Sequence, residues 1–164
     1  MKTSIFVFAV ACAAGFAAPA SAQGLITEQR LSAALVNEAL AAAVASCASN
    51  GYKVSAVVLD MDGVRQGVLR GDGAGIHTMD SSFLKAYTSV TYRTDTIELE
   101  KNLKNGQMSN LQTKLPNVVV AAGGVSIKVN GAAIGAIGVG GAPGGEKDTA
   151  CAQAGLDKIR DRMK

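Results

Sequence analysis

The chain has 164 residues, a formal net charge of +3 and one histidine, His77. This length suits one domain with one core. A charge this close to neutral, with no Lys/Arg stripe, argues against a nucleic-acid surface. One distant histidine beside scattered cysteines matches no zinc pattern.

The chain opens as a secretory signal peptide. Lys2 supplies the positive start, Ile5 to Ala18 is an apolar run, and Ala20-Ser21-Ala22 is a small-x-small cleavage site. The apolar run falls short of the ~20 residues that span a bilayer. Too few apolar residues precede Cys12 for a lipoprotein signal. Cleavage is expected after Ala22, leaving residues 23–164 as a single domain. No other segment is long and apolar enough to cross a membrane, so the expected product is periplasmic or secreted, with no membrane insertion.

The elements follow in chain order. Thr27 can cap a helix that runs to about Asn50, with Gly51 as its stop. Leu31, Leu35, Ala39, Ala43 and Cys47 recur every four residues along it, which puts Cys47 on the buried face. Val54 to Met61 and Val64 to Arg70 read as strands, joined at Asp62-Gly63 by a tight hairpin. After "RGDGAGIHTMDSSFLKAYTSVTYR", residues 70–93, comes a second helix. Thr78 can cap it, and Phe83, Tyr87 and Val90 form its core stripe. A third helix runs from about Thr96 to Asn105, and residues 107–117 read as a loop. Three strands follow: Val118–Ala122, Val125–Val129 and Ala132–Val139, the last two joined by Asn130-Gly131, a strong hairpin signal. A glycine-rich loop then leads to a final helix, capped at Asp148 or Thr149 and reaching about Met163.

The order αββααβββα predicts an α+β domain: a five-stranded antiparallel sheet with flanking helices. Export leaves Cys47 and Cys151, one at the end of the first helix and one at the start of the last. If those helices are antiparallel neighbours, the Cα atoms could fall within disulfide range, ~4.4–6.8 Å. Two small buried thiols are the alternative.

Little in the motifs points to catalysis. "GVGGAPGGEK" departs from the phosphate-loop pattern, because Glu146 separates Gly145 from Lys147. Its glycines either turn a strand sharply into a helix or seat an anion on backbone N–H groups. The Arg70-Gly71-Asp72 tripeptide ends a strand and carries little weight as an adhesion signal. No nucleophile, base and orienting group can be assembled around one histidine. His77 itself is either a solvent-facing residue or a metal ligand. A helix start is a poor place for a positive charge, imidazole ligates metal as the neutral ring, and the preceding glycines permit close approach of a planar ligand.

Two stretches, "YKVSAVVLDMDGVRQGVLRGDGAGIHTMDSSFLKAYTSVTYR" and "NGAAIGAIGVGGAPGGEKDTACAQAGLDKI", resemble the HbpS-like haem-binding proteins, the group that includes GlcG. The pattern "GDGA..HT.DS...KAYT" is met at Gly71, Asp72, Gly73, Ala74, His77, Thr78, Asp80, Ser81, Lys85, Ala86, Tyr87 and Thr88. Departures are Ile76 in place of a frequent proline, Phe83 and Leu84 in place of polar residues, and Gly140 in place of serine. The resemblance implies a profilin-like fold, haem as cofactor and homo-oligomers, often octamers; some members are described as degrading haem.

Residues and resemblance together predict an exported haem-binding protein that stores, buffers or presents haem. His77 would supply the axial imidazole. Thr78 and Tyr87 are further candidates for contact, and Arg70, Lys85 and Arg93 are candidate cations for the propionates. The rival readings are an enzyme acting on haem or a small carboxylate, and an oligomeric accessory protein for a sensor or transporter.

Overall fold

The computed structural model describes residues 24–163. The expected signal peptide lies outside them. Among the described residues no helix is long and apolar enough to cross a membrane.

Helix α1 spans Ala33–Ser49, and α2 spans His77–Tyr92. The shorter α3 covers Thr96–Lys104, and α4 covers Gly145–Ile159. The strands are β1 (Ser55–Asp60), β2 (Arg65–Arg70), β3 (Gly124–Val129) and β4 (Ala132–Gly140). They form one antiparallel sheet in the order β2-β1-β4-β3.

Among the described residues the sheet has four strands, not the five expected. Val118–Ala122 is apolar enough for a strand, but its amides bond elsewhere. Val119 N donates to Thr88 Oγ1 at 2.8 Å and Ala122 N to Glu100 Oε2 at 3.0 Å. The β3 edge that such a strand would pair with is already taken. Gly124 N donates to Thr96 Oγ1 and Ser126 N to Asp95 Oδ1, both at 2.8 Å. The start of α3 therefore closes the sheet on this side, satisfying edge amides that would otherwise template another strand.

Three helix starts also differ from expectation. Ser32, not Thr27, caps α1, accepting from Leu35 N at 3.4 Å. Thr78 lies inside the first turn of α2. Asp148 lies inside the first turn of α4, whose N-cap is Gly144. Both hairpins hold. Asp60 Oδ1 accepts from Asp62 N and Val64 N around the first. Asn130 and Gly131, with φ of 50° and 82°, make the second in the doubly left-handed form that suits a two-residue turn.

Alternation along the strands divides the core. Ala56, Val58, Val125, Ile127, Ile137 and Val139 face α1 and α4, where they meet Val36, Leu40, Ala43 and Leu156. Val57, Leu59 and Ala136 face α2, against Ala86 and Val90. On that second face α2 lies close to the sheet because glycines leave room. A Cβ at Gly138 would press on the Ser82 carbonyl and stand 2.7 Å from the Ala86 amide nitrogen.

Two further links tie the layers. Cys47 and Cys151 form a disulfide, their Cα atoms 5.5 Å apart, between α1 and α4. Between α2 and α4, Lys85 Nζ donates to Asp148 Oδ2 at 2.6 Å, with side chains only 9% and 3% exposed. Asp148 Oδ1 also accepts from Ala142 N at 3.0 Å.

Both links give measurable outcomes. Denatured, unreduced mature protein should show no free thiol, and two titratable thiols would contradict the bridge. The bridged residues are 104 apart, so the chain-entropy model makes reduction cost about 4–5 kcal/mol by urea denaturation. Lys85→Met, which strands a buried carboxylate, should cost about 3–5 kcal/mol. Lys85→Met combined with Asp148→Asn, which keeps an acceptor for Ala142 N and removes the lone charge, should recover more than half of that loss.

Candidate functional site

The chain leaves β2 at Arg70 and reaches α2 through Gly71–Gly75. The turn is pinned at each step. Gly71 N donates to Val54 O at 2.9 Å, and Ala74 N donates to Gly71 O at 3.1 Å. The Arg70 guanidinium reaches over it, with Nε 2.9 Å from Ala74 O and a second N–H on the same carbonyl. Thr78 Oγ1 donates to Gly75 O at 2.7 Å and pairs with buried Ser55 Oγ, also at 2.7 Å. Thr78 thus anchors the first turn of α2 to the first residue of β1.

This leaves His77 exposed as the first residue of α2, with its ring lying over Gly75. A Cβ there would come within 2.7 Å of the ring Cε1 and 2.9 Å of Nδ1. Ile76 beside it is 83% exposed, an unpartnered apolar group next to an imidazole. The second glycine loop meets this corner too. A Cβ at Gly141 would stand 3.0 Å from Thr78 Cγ2, and one at Gly140 would stand 2.7 Å from Ser81 Oγ.

The other expected site residues spread along α2. Lys85 is buried and engaged by Asp148. Burial pushes the Asp148 carboxyl above its ordinary value, opposed by the hydrogen bond from Lys85. Through Ala142, this pair holds the second glycine loop in place. Tyr87 packs with Phe83, ring centroids 5.8 Å apart, and lines a recess together with Met61. Arg93 caps the far end of α2. With 16 residues at ~1.5 Å each, that end is ~24 Å from His77. The structure therefore brings together His77, Thr78 and Arg70, and sets Lys85, Tyr87 and Arg93 apart from them.

A cation that sequence reasoning missed stands at this corner instead. The exposed Lys53 lays its side chain across Gly73, whose added Cβ would meet Lys53 Cδ at 3.2 Å and Nζ at 3.3 Å. The hairpin register offered a signal: Ser55 pairs with Arg70, so the residues before Ser55 run beside those after Arg70. Lys147, near Tyr52 with Nζ 5.4 Å from the ring centroid, is a second base supplied by the start of α4.

The donor set suits a planar metal-bearing ligand better than a bare ion. Among the described residues, no three His, Cys, Asp or Glu side chains come together as a metal cage. One open imidazole, an exposed apolar neighbour, glycines that admit close approach and nearby lysines are groups that would hold a haem, which would supply the metal.

Comparison with known proteins points to a haem-related family. A family model described as "Haem degrading protein HbpS-like" matches residues 31–157. Among solved structures, a double mutant of Streptomyces reticuli HbpS is 36% identical, with 86% of this chain and 96% of that one covered and a TM-score of 0.76. A second HbpS structure is 34% identical, covering 85% and 97%, with a TM-score of 0.78. The PduOC:heme complex is 27% identical, covering 79% and 94%, with a TM-score of 0.72. No curated protein matches the chain. With its family model spanning most of the fold and HbpS over a third identical across it, the chain belongs to the HbpS-like family.

Proposed function

We propose that the chain is an exported haem-binding protein and that His77 is its iron ligand. The observation that carries this reading is the open His77 ring over Gly75 at the start of α2, in a chain of the HbpS-like family. The haem complex of its relative PduOC supports the choice of cofactor. Bound haem supplies the iron and its redox and ligand-exchange chemistry. Thr78 and Arg70 keep the glycine loop still, so that the ring is presented without a large ordering cost. Lys53 offers its ammonium to a propionate. One chain covers only one side of a plane set on His77, and Ile76 stays bare. A homo-oligomer, in which a neighbouring subunit covers the other side, completes the site.

The family description favours a second reading, haem degradation. The two separate in one cuvette: hemin-loaded protein is given ascorbate in air. A lasting Soret band supports binding and presentation, whereas its decay with growth of bilin-like absorbance supports the enzyme.

His77→Ala should lower hemin affinity at least about tenfold, roughly 1.4 kcal/mol, and move the Soret band. Because the residue is exposed, stability should stay within about 0.5 kcal/mol. Gly75→Ala should displace the ring and give a smaller loss of affinity in a folded protein. Wild-type spectra in both variants would hand the iron to Tyr52, Met79, Tyr87 or Tyr92, or to a residue of a neighbouring subunit. Export carries its own outcome: mass spectrometry of secreted protein should find Gln23 at the N-terminus, and an intact Met1 or a lipid on Cys12 would overturn it.

A further inference from the structure

The far end of α2 borders a groove that the haem reading leaves unused. It holds about 630 Å3 between the extended segment before α1, the β3–β4 hairpin and the last turn of α2. Met61, Ala133 and Ile134 give it an apolar lining, and Arg93 and Lys128 bring two cations to it from separate elements. Among the described residues, neither cation has a carboxylate within 4.0 Å. The acid among the lining residues, Glu28, stands 3.9 Å from Arg30. A smaller recess of about 210 Å3 shares Met61 and Arg93 with Tyr87 and Val90, so Arg93 stands between two hollows.

The placement of Arg93 is costly. Its φ of 53° is left-handed, at a helix end where glycine or asparagine is the usual solution. Strain held by a non-glycine residue is a pointer to function.

We propose that this groove binds an amphipathic carboxylate. The apolar body lies on Met61 and Ile134, and the carboxylate bridges Arg93 and Lys128, the guanidinium offering its two-pronged fork. The site is independent of haem at His77, which stands at the other end of α2.

Calorimetric titration of the protein with octanoate, and with octanamide as the uncharged control, tests this. Octanoate should bind and octanamide should not. Arg93→Gln and Lys128→Gln should each weaken octanoate at least about tenfold, with thermal melts showing both variants folded. His77→Ala should leave octanoate binding unchanged. Absence of octanoate binding, equal binding of the amide, or wild-type affinity in folded Arg93→Gln and Lys128→Gln would overturn the proposal, whatever hemin does.

Discussion

The close seat of α2 on β4 is the constraint on which the rest of the molecule depends. Side chains at Gly124, Gly138 or Gly140 would run into α2, against the Lys85 carbonyl, the Ser82 carbonyl and the Ser81 hydroxyl in turn. Their absence lets a helix backbone rest almost directly on a strand. Interiors are packed densely enough that such a contact allows little sliding. Both ends of α2 are therefore set by the sheet: His77 beside the Gly71–Gly75 turn, and Arg93 beside the groove under the β3–β4 hairpin.

The two cross-layer links then hold the frame around that seat. The disulfide joins the helices of one layer, and the Lys85–Asp148 pair passes from the other layer to the first turn of α4. A buried ion pair is weak evidence of net stability, since desolvation opposes its attraction. Its stronger effect is positional, because Asp148 also accepts from Ala142 N and so orders the loop that flanks Thr78. A carboxyl raised by burial, taken alone, favours the folded state at low pH and loses that contribution as pH rises through its raised value. The ammonium of Lys85 opposes that loss. Neither charge is free for a ligand, which is why a lysine inside the most recognisable motif of the chain is structural while the plain Lys53 is open to solvent.

Local chemistry made much of this legible in advance. Hairpins at Asp62-Gly63 and Asn130-Gly131 follow from backbone preference and held. The four-residue stripe ending at Cys47 placed that thiol on a buried face, which it occupies. Helix starts were less legible, because several residues compete at each. Thr27 has a capping hydroxyl as good as that of Ser32, but the chain before Leu31 runs along the sheet end and forms no helix. Val118–Ala122 has the apolar content of a strand, yet no edge was left for it once Asp95 and Thr96 had bonded the amides of β3.

By itself, then, the sequence determined the fold class, the disulfide partners as candidates, the glycine turn before His77 and the family, all of which rest on short-range preference and residue identity. Tertiary structure alone decided the number of strands, the burial of Lys85 against Asp148, the approach of Lys53 to Gly73 and the separation of His77 from Arg93 along α2. Each of these depends on which distant groups meet. Residues 85 and 148, or 95 and 126, become neighbours only when the sheet closes and α2 settles on its glycines, and no local pattern records that meeting.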